Sequence, residues 1–245
     1  RYDEAVETAD KIATFRFVVR KVAQDFGLHA TFMPKPIEGI NGSGMHTHQS
    51  LFTNGNNAFW DPKAPWELSK VALHYIGGVL HHAKAITAIT NPTVNSYKRL
   101  VPGYEAPTAI VWSERNRSPM ARVPDRRGLG TRVEIRSPDP ACNPYLAFAV
   151  MIAAGLDGVR NQMDPGAPIN RNIFDMSQRE RRRLKIDELP GSLPEALKEL
   201  KKDAVVRDAL GTHLYHQFVE AKTAEAAEFN TAVHAWELDR YLARF

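Results

Sequence analysis

Charged and apolar side chains alternate along one five-residue stretch, Arg132-Val133-Glu134-Ile135-Arg136. Side chains two positions apart share a face of a β-strand, so the alternation predicts a strand with Val133 and Ile135 toward the core. Arg132, Glu134 and Arg136 then form a charged row on the other face. The fold must therefore include a sheet that is packed on one side and carries charge on the other.

A second alternating stretch, His46-Thr47-His48-Gln49-Ser50, predicts a strand with His46, His48 and Ser50 on one face. Taken singly, two histidines are usually a satisfied polar face, and Arg-Glu-Arg is usually a surface ion-pair ladder. Together, an imidazole and a carboxylate could hold a divalent cation while arginines bind anionic oxygens beside it. That set of groups suits phosphoryl transfer, in which the protein positions groups and neutralises charge.

Positive charge is concentrated in residues 98–136, which contain nine Lys/Arg against four Asp/Glu in a chain of net charge +4. Arginines gathered in one segment without helical periodicity suggest bidentate capture of carboxylates or phosphates. A nucleic-acid-binding surface would spread its charge along helices or tails and interleave stacking aromatics. An arginine-rich nucleic-acid-binding module is therefore the weakest alternative, and no nucleic-acid partner is expected.

The 245-residue chain has an ordinary globular composition, with 43% hydrophobic and 24% charged residues. Its longest nearly apolar stretch, residues 146–156, is too short to span a bilayer, so no membrane partner is expected. Cys142 is the only cysteine, which excludes a disulfide framework and a Cys-based zinc site and favours a cytoplasmic location.

Two loops are candidates for ligand contact. The glycine-rich loop at residues 41–44 lacks the Gly-Lys-Ser/Thr ending of a phosphate-binding P-loop, so that motif is excluded. Its glycines would let the backbone approach a ligand, although a tight turn alone would explain them. The loop at residues 98–107 has the composition of a gate, and Glu105 in it is either a general base or a solvated glutamate.

Three segments together resemble the signatures of the class I glutamine synthetase family of bacteria and archaea: NGSGMHTH at residues 41–48, NPTVNSYKRLVPGYEAP at 91–107 and RVEIR at 132–136. The resemblance covers essentially the whole chain. It implies ATP-dependent ligation of ammonia to L-glutamate, giving L-glutamine through a γ-glutamyl phosphate, with Mg²⁺ or Mn²⁺ as cofactor. It also implies a dodecamer, to whose ring contacts the tail helices contribute.

The resemblance implies an α+β fold of the glutamine synthetase catalytic-domain type, a curved antiparallel sheet backed by helices with an all-helical C-terminal tail. Apolar periodicity and turn residues predict helices over residues 3–26, 66–89, 143–159, 213–229 and 233–242, and a short strand over 30–33. Residues 1–160 are expected to form the α/β active-site part, and residues 161–245 the helical tail.

The family's functional residues carry over by motif. The resemblance implies metal ligation by His46 and Glu134, and nucleotide contacts from His48, Ser50, Arg117, Arg122 and Arg132. It implies glutamate binding by Asn41, Gly42, Arg99, Glu105 and Arg136. Two residues would be catalytic: Glu105 closes over the intermediate and helps to deprotonate ammonium, and Arg117 stabilises the transferred charge.

Departures from the family pattern lead to further expectations. The family's N-terminal β-grasp domain, its early strands with metal-binding glutamates and an aspartate from a neighbouring subunit have no counterpart in this sequence. His46 and Glu134 alone are too few for tight binding of a hard cation. The chain is therefore predicted to be the C-terminal part of a catalytic domain, and to be inactive by itself.

Phe174 occupies the position at which some bacterial members are adenylylated on tyrosine. The segment between Arg122 and Glu134 is also one residue shorter than in those members and lacks lysine. These features predict the unmodified subtype.

A ligase that joins glutamate to another amine is an alternative of neighbouring chemistry. Glu105 and the intact loop at residues 98–107 favour ammonia, because a bulkier amine would require an opened or altered loop.

Overall fold

The computed structural model describes residues 2–114, 116 and 118–245. The described helices are α1 (Ala5–Asp25), α2 (Lys70–His81), α3 (Ala83–Thr90), α4 (Ser96–Arg99), α5 (Pro144–Arg160), α6 (Gln178–Arg183), α7 (Leu193–Lys202), α8 (Ala204–Leu210), α9 (Thr212–Thr231) and α10 (Ala235–Tyr241). The described strands are β1 (Thr47–Gln49), β2 (Phe52–Thr53), β3 (Asn56–Asn57), β4 (Ala109–Ser113), β5 (Pro119–Arg122), β6 (Val133–Ile135) and β7 (Asp187–Glu188). None of these helices is both long and apolar enough to cross a membrane.

Within the described residues, five strands form one sheet in the order β1-β6-β5-β4-β7, and β2 and β3 form a separate pair. Strands β1 and β5 each pair antiparallel with β6, and β7 pairs antiparallel with β4. Strand β5 begins beside the start of β4, with Pro119 opposite Ala109, so these two strands run parallel. The α+β class is confirmed, and the sheet is mixed instead of wholly antiparallel.

The core lies between the sheet and the helices. Val133 and Ile135 of β6 are fully buried, as the alternation predicts, and belong to the same hydrophobic cluster as residues of α2 and α5. Helices α2 and α5 approach closely, because Gly78 of α2 lies directly against α5. A Cβ atom on Gly78 would overlap the carbonyl oxygen of Ala154. This close contact fixes the helical layer behind the sheet.

Three local predictions differ from the structure. The segment predicted as one helix over residues 66–89 begins with a short 3₁₀ turn at Pro65–Glu67. Two helices, α2 and α3, then follow and are separated at His82. Residues 30–33 do not form a strand, and the Pro34 carbonyl accepts a hydrogen bond from the Ser43 N–H of the glycine-rich loop instead. Strand β7 lies within residues 161–192 and pairs antiparallel with β4, so the wholly helical part of the tail begins at Leu193.

His82 links the break between α2 and α3 to two other helices. Its ring is buried, with Nδ1 2.6 Å from Asp203 Oδ2 and Nε2 3.2 Å from Asp157 Oδ2. Asp157 belongs to α5, and the Asp203 side chain caps α8 by accepting from the Val206 N–H. Burial lowers the pKa of His82, but the hydrogen bonds and charges of Asp203 and Asp157 outweigh it, so the pKa is raised overall.

We expect the stabilisation from His82 to depend on pH. Because its folded-state pKa lies above the ordinary value of 6.5, the contribution is complete below pH 6.5 and is lost as the pH rises through the folded-state pKa. Thermal unfolding of the wild type and of His82→Gln should show a difference in Tm that shrinks from pH 6 toward alkaline pH.

The matched control is His74→Gln, which removes an imidazole whose Nδ1 lies 3.0 Å from the Met163 carbonyl oxygen. No carboxylate in the described part of the chain forms an ion pair with this ring. A His82→Gln difference in Tm that is constant with pH, or that grows at alkaline pH, would contradict this role.

Candidate active site

Strand register brings three polar side chains into one row. His48 of β1 lies opposite Glu134 of β6, and Glu134 lies opposite Arg122 of β5. Directly paired residues on neighbouring strands point to the same face of a sheet. The face of the sheet opposite Val133 and Ile135 therefore carries an imidazole, a carboxylate and a guanidinium side by side.

Glu134 is the centre of this arrangement. Its side chain is only 4% exposed, and its Oε1 lies 2.9 Å from His46 Nδ1. Arg122 Nε donates to Oε2 at 2.6 Å, and Arg136 Nε lies 3.7 Å from Oε1. We call these four residues the Glu134 cluster: His46, Arg122, Glu134 and Arg136. His46 precedes β1 and is 36% exposed, so a ligand can reach its ring.

The Glu134 carboxylate is ionised at neutral pH. Burial raises its pKa, but hydrogen bonds from His46 and Arg122 and the charge of Arg122 outweigh this and lower it to about 2. Since an ionised carboxylate only accepts hydrogen bonds, His46 Nδ1 is the donor in this contact. The Glu134 cluster thus combines one fixed negative charge with two adjacent guanidinium groups.

His48 and Arg132 form a second contact on the same face. Arg132 Nε donates to His48 Nδ1 at 3.1 Å, and Arg132 Nη1 donates to the Gly130 carbonyl at 3.0 Å. Burial lowers the pKa of His48, the charge of Glu134 opposes this, and the charges of Arg132 and Arg122 add to it. A neutral His48 that accepts at Nδ1 is consistent with these contacts.

Arg99 lies behind the Glu134 cluster at the end of α4. It is 4% exposed, and it donates from Nη1 to the Ser137 carbonyl at 2.6 Å and from Nη2 to the Arg136 carbonyl at 3.1 Å. Among the described residues, no carboxylate lies within 4.0 Å of its guanidinium. Carbonyl groups carry no formal charge, so the two hydrogen bonds hold the Arg99 guanidinium in place without neutralising it.

The glycine-rich loop allows this close packing. Backbone hydrogen bonds fix both ends of the loop, from Ser43 N–H to the Pro34 carbonyl and from Met45 N–H to the Pro138 carbonyl, both at 2.8 Å. A Cβ atom on Gly44 would lie 2.6 Å from Arg99 Nη2 and 3.1 Å from the His46 ring. Gly44 is therefore a glycine because Arg99 and His46 approach its backbone closely.

In the full-length protein we expect Gly44→Ala to lower kcat/KM by about tenfold or more, since the added Cβ would displace Arg99 and His46 and misalign the candidate site. The melting temperature should fall much less than the activity. Gly191→Ala is the control, because the nearest atom to its added Cβ would be the flexible Glu195 carboxylate oxygen at 3.6 Å. Equal activity in the two variants would contradict the proposed crowding at Gly44.

The other predicted residues are less closely connected. Asn41 and Glu105 are exposed and Ser50 is half-buried, and none of the three makes a side-chain hydrogen bond within the part of the chain that the structure describes. Gly42 packs against the Arg99 side chain. Arg117 lies outside the described residues. Next to Glu105, the Tyr104 ring lies 3.8 Å from Lys35 Nζ.

His46 and Glu134 fit part of a divalent-cation site. Their facing atoms are 2.9 Å apart, close to the spacing of about 3 Å between adjacent ligands in an octahedral shell of radius about 2.1 Å. His46 Nδ1 donates its proton to Glu134 in this structure and would have to lose that proton to bind a cation beside Oε1. Among the described residues, no group of three or more His, Cys, Asp or Glu side chains could hold a metal. The remaining oxygen ligands of Mg²⁺ or Mn²⁺ would have to come from water, phosphate or residues beyond this set.

The sequence analysis missed two buried polar residues near the site. Asn91 and Asp139 are both fully buried, and Asn91 donates to the Ser137 carbonyl that also accepts from Arg99. The only signal in the sequence is their position beside prolines, Asn91-Pro92 and Pro138-Asp139-Pro140.

On one side, this mixed sheet has a buried carboxylate, two histidines and several arginines, a set of groups that can bind anionic oxygens. The family model for the catalytic domain of glutamine synthetase matches residues 1–241. The chain therefore belongs to the glutamine synthetase family.

Named relatives and solved structures agree with this assignment. Glutamine synthetase of Thermus thermophilus is 61% identical over 245 residues, all of this chain and 55% of that protein. Glutamine synthetase of Thermotoga maritima is 56% identical over 99% of this chain and 55% of that protein. The solved structure of a GmaS/ADP complex superposes with a TM-score of 0.90 at 40% identity, covering 99% of this chain and 56% of that one. The chain thus spans about half the length of the relatives it matches.

Proposed function

We propose that this chain supplies the glutamate-binding and nucleotide-binding part of an enzyme that ligates ammonia to L-glutamate with ATP. The observation that carries the proposal is the Glu134 cluster, in which a buried carboxylate contacts an imidazole at 2.9 Å and a guanidinium at 2.6 Å. Such a cluster can bind a cation and anionic oxygens at the same place, as phosphoryl transfer from ATP to a carboxylate requires.

The two substrates would occupy opposite sides of the cluster. Arg99 and Arg136 bind the carboxylates of L-glutamate, with Asn41 and Gly42 contributing an amide and backbone contacts. His48, Ser50, Arg122, Arg132 and Arg117 contact the nucleotide. The ADP bound in the GmaS complex supports a nucleotide site in this fold. His46 and Glu134 would hold Mg²⁺ or Mn²⁺, which neutralises charge on the ATP phosphates when bound.

The reaction would proceed in two steps. A γ-carboxylate oxygen of glutamate attacks the terminal phosphorus of ATP, ADP leaves, and Arg117 and Arg122 neutralise the charge on the transferred phosphoryl oxygens. Glu105 then closes over the acyl phosphate, excludes water and accepts a proton from ammonium. Ammonia attacks the acyl carbon and displaces phosphate.

The complete enzyme would include an N-terminal β-grasp domain and further catalytic strands, corresponding to the half of the relatives that this chain does not match. We also propose the division into an active-site part at residues 1–160 and a tail at residues 161–245, assembly into a dodecamer and a cytoplasmic location. Phe174 lacks a phenol, so the protein would not be regulated by tyrosine adenylylation at this position.

The test is an assay of the full-length protein for phosphate release and glutamine formation from ATP, L-glutamate and ammonium with Mg²⁺. We expect both products in equal amounts, and neither when any substrate is omitted. The 245-residue chain alone should be inactive. Faster turnover with a bulkier primary amine than with ammonium would instead identify an amine ligase, and absence of both activities would refute the proposal.

A further inference from the structure

The backbone at residues 136–138 carries a row of carbonyl groups that depend on donors from other segments. We call these residues the carbonyl shelf: Arg136, Ser137 and Pro138. Arg99 donates to the first two carbonyls, and the Met45 N–H donates to the third. Because two of the five residues at 136–140 are prolines, the segment offers few N–H groups of its own. Its conformation therefore depends on the residues that donate to it.

Asn91 supplies a further donor to the middle of the shelf. Its Nδ2 donates to the Ser137 carbonyl at 2.8 Å and to Asp139 Oδ2 at 2.9 Å, so both amide hydrogens are used. Its Oδ1 accepts from the Thr90 hydroxyl at 2.9 Å. Exchanging the amide oxygen and nitrogen would place acceptor against acceptor at two contacts, so the orientation of this side chain is fixed.

Asp139 fixes Asn91 from the other side. Its Oδ1 accepts from the Ala141 N–H at 3.0 Å, and its own N–H donates to the Thr90 carbonyl at 3.1 Å. These bonds connect the end of α3 with the segment that leads into α5. The Asp139 carboxylate is fully buried and has no cationic partner within 4.0 Å among the described residues. Burial raises the pKa of Asp139, and its hydrogen bonds and the more distant charge of Arg99 partly oppose this increase.

We propose that Asn91 and Asp139 are a positioning pair that sets the Ser137 carbonyl, and through it Arg99, in the geometry that binds the substrate carboxylate. The inference rests on the proposed function, because it assumes that Arg99 binds glutamate. Neither residue of the pair needs to touch the substrate. The Ser137 carbonyl accepts from both Asn91 and Arg99, so loss of the Asn91 bond frees this peptide to rotate and moves the anchor of the guanidinium.

The pair can be tested by exchanging its two members in the full-length protein. In Asn91→Asp/Asp139→Asn, one amide and one carboxylate still face each other, but position 91 no longer donates to the Ser137 carbonyl. We expect the exchange to recover much of the thermal stability lost in Asp139→Asn while the KM for glutamate stays raised by about tenfold or more. The KM for ATP should change by less than about twofold, and kcat by less than about threefold.

Two more variants distinguish positioning from general stability. Thr90→Val keeps the side-chain volume and removes only the hydroxyl that donates to Asn91, so it should fold and raise the KM for glutamate about threefold. Asp157→Asn is the control, since it removes the charge of a half-buried carboxylate that lies 3.2 Å from the buried His82 ring and away from the carbonyl shelf. It should lower the melting temperature without changing the KM for glutamate.

The outcomes are separable. A wild-type protein that makes no glutamine refutes the proposed function, and this inference with it. An active wild type combined with a normal KM for glutamate in the exchange variant and in Thr90→Val overturns the positioning role alone. If the exchange variant does not fold, the KM for glutamate of Thr90→Val tests the positioning role: a raised value supports it and a normal value overturns it.

Discussion

Replacing Glu134 with glutamine in the full-length protein is expected to lower kcat/KM for glutamine formation by about 10²-fold to 10³-fold. The amide keeps the size of the side chain but removes the negative charge of Glu134 that faces His46, Arg122 and Arg136. A neutral amide oxygen at this position would hold a divalent cation with His46 much more weakly than the carboxylate does. Arg122 and Arg136 would also lose the carboxylate charge that they share.

The dependence on metal concentration separates this role from a structural one. Glu134→Gln should require a much higher Mg²⁺ concentration for half-maximal activity, and excess metal should restore part of the rate. Glu188→Gln is the matched control, because Glu188 lies on β7 of the same sheet and pairs with Arg181 at the surface. Wild-type activity in Glu134→Gln, or an equal loss in both variants, would contradict the role of the Glu134 cluster.

Replacing Arg99 with lysine is expected to raise the KM for glutamate by about 100-fold while the KM for ATP stays within about twofold of the wild type. Arg99 uses two N–H groups to reach the Ser137 and Arg136 carbonyls and keeps further N–H groups for a ligand. A lysine ammonium carries the same charge on a flexible stem and cannot span two carbonyls and a carboxylate in a fixed plane.

Arg207→Lys provides the control for this substitution. Arg207 belongs to α8 and lies over the Tyr215 ring within the helical tail, so its replacement should leave both KM values unchanged. A normal KM for glutamate in Arg99→Lys would mean that the substrate carboxylate binds elsewhere. A parallel increase of both KM values would mean that Arg99 serves the fold and not the substrate.

The contact between His46 and Glu134 illustrates what the sequence predicts well. The two residues are 88 positions apart, yet each lies in or beside a short alternating stretch whose polar face is evident from the residues alone. The family resemblance then paired the two stretches, which periodicity cannot do, because register between distant strands depends on the whole sheet. The alternation also predicts that Val133 and Ile135 of β6 face the core, and this prediction is confirmed.

The buried hydrogen-bond networks could not be predicted from the sequence. Asn91 and Asp139 stand beside prolines, where polar residues normally end helices or form exposed turns, and nothing local indicates that both are fully buried. His82 lies in an apolar helical pattern whose nearest glycine, Gly78, is four residues earlier. The break between α2 and α3 and the contacts of His82 with Asp157 and Asp203 were therefore not predicted. In both cases the cause is a tertiary hydrogen bond to a residue far along the chain.

The most direct test follows oxygen atoms through the reaction of the full-length protein. L-Glutamate labelled with ¹⁸O in its γ-carboxylate is incubated with ATP, ammonium and Mg²⁺, and the released phosphate is analysed by mass spectrometry. If the carboxylate attacks the terminal phosphorus and ammonia displaces phosphate from the acyl carbon, each phosphate carries one ¹⁸O atom. Unlabelled phosphate accompanied by glutamine would contradict an acyl phosphate intermediate. It would also contradict the role in phosphoryl transfer that we propose for the Glu134 cluster.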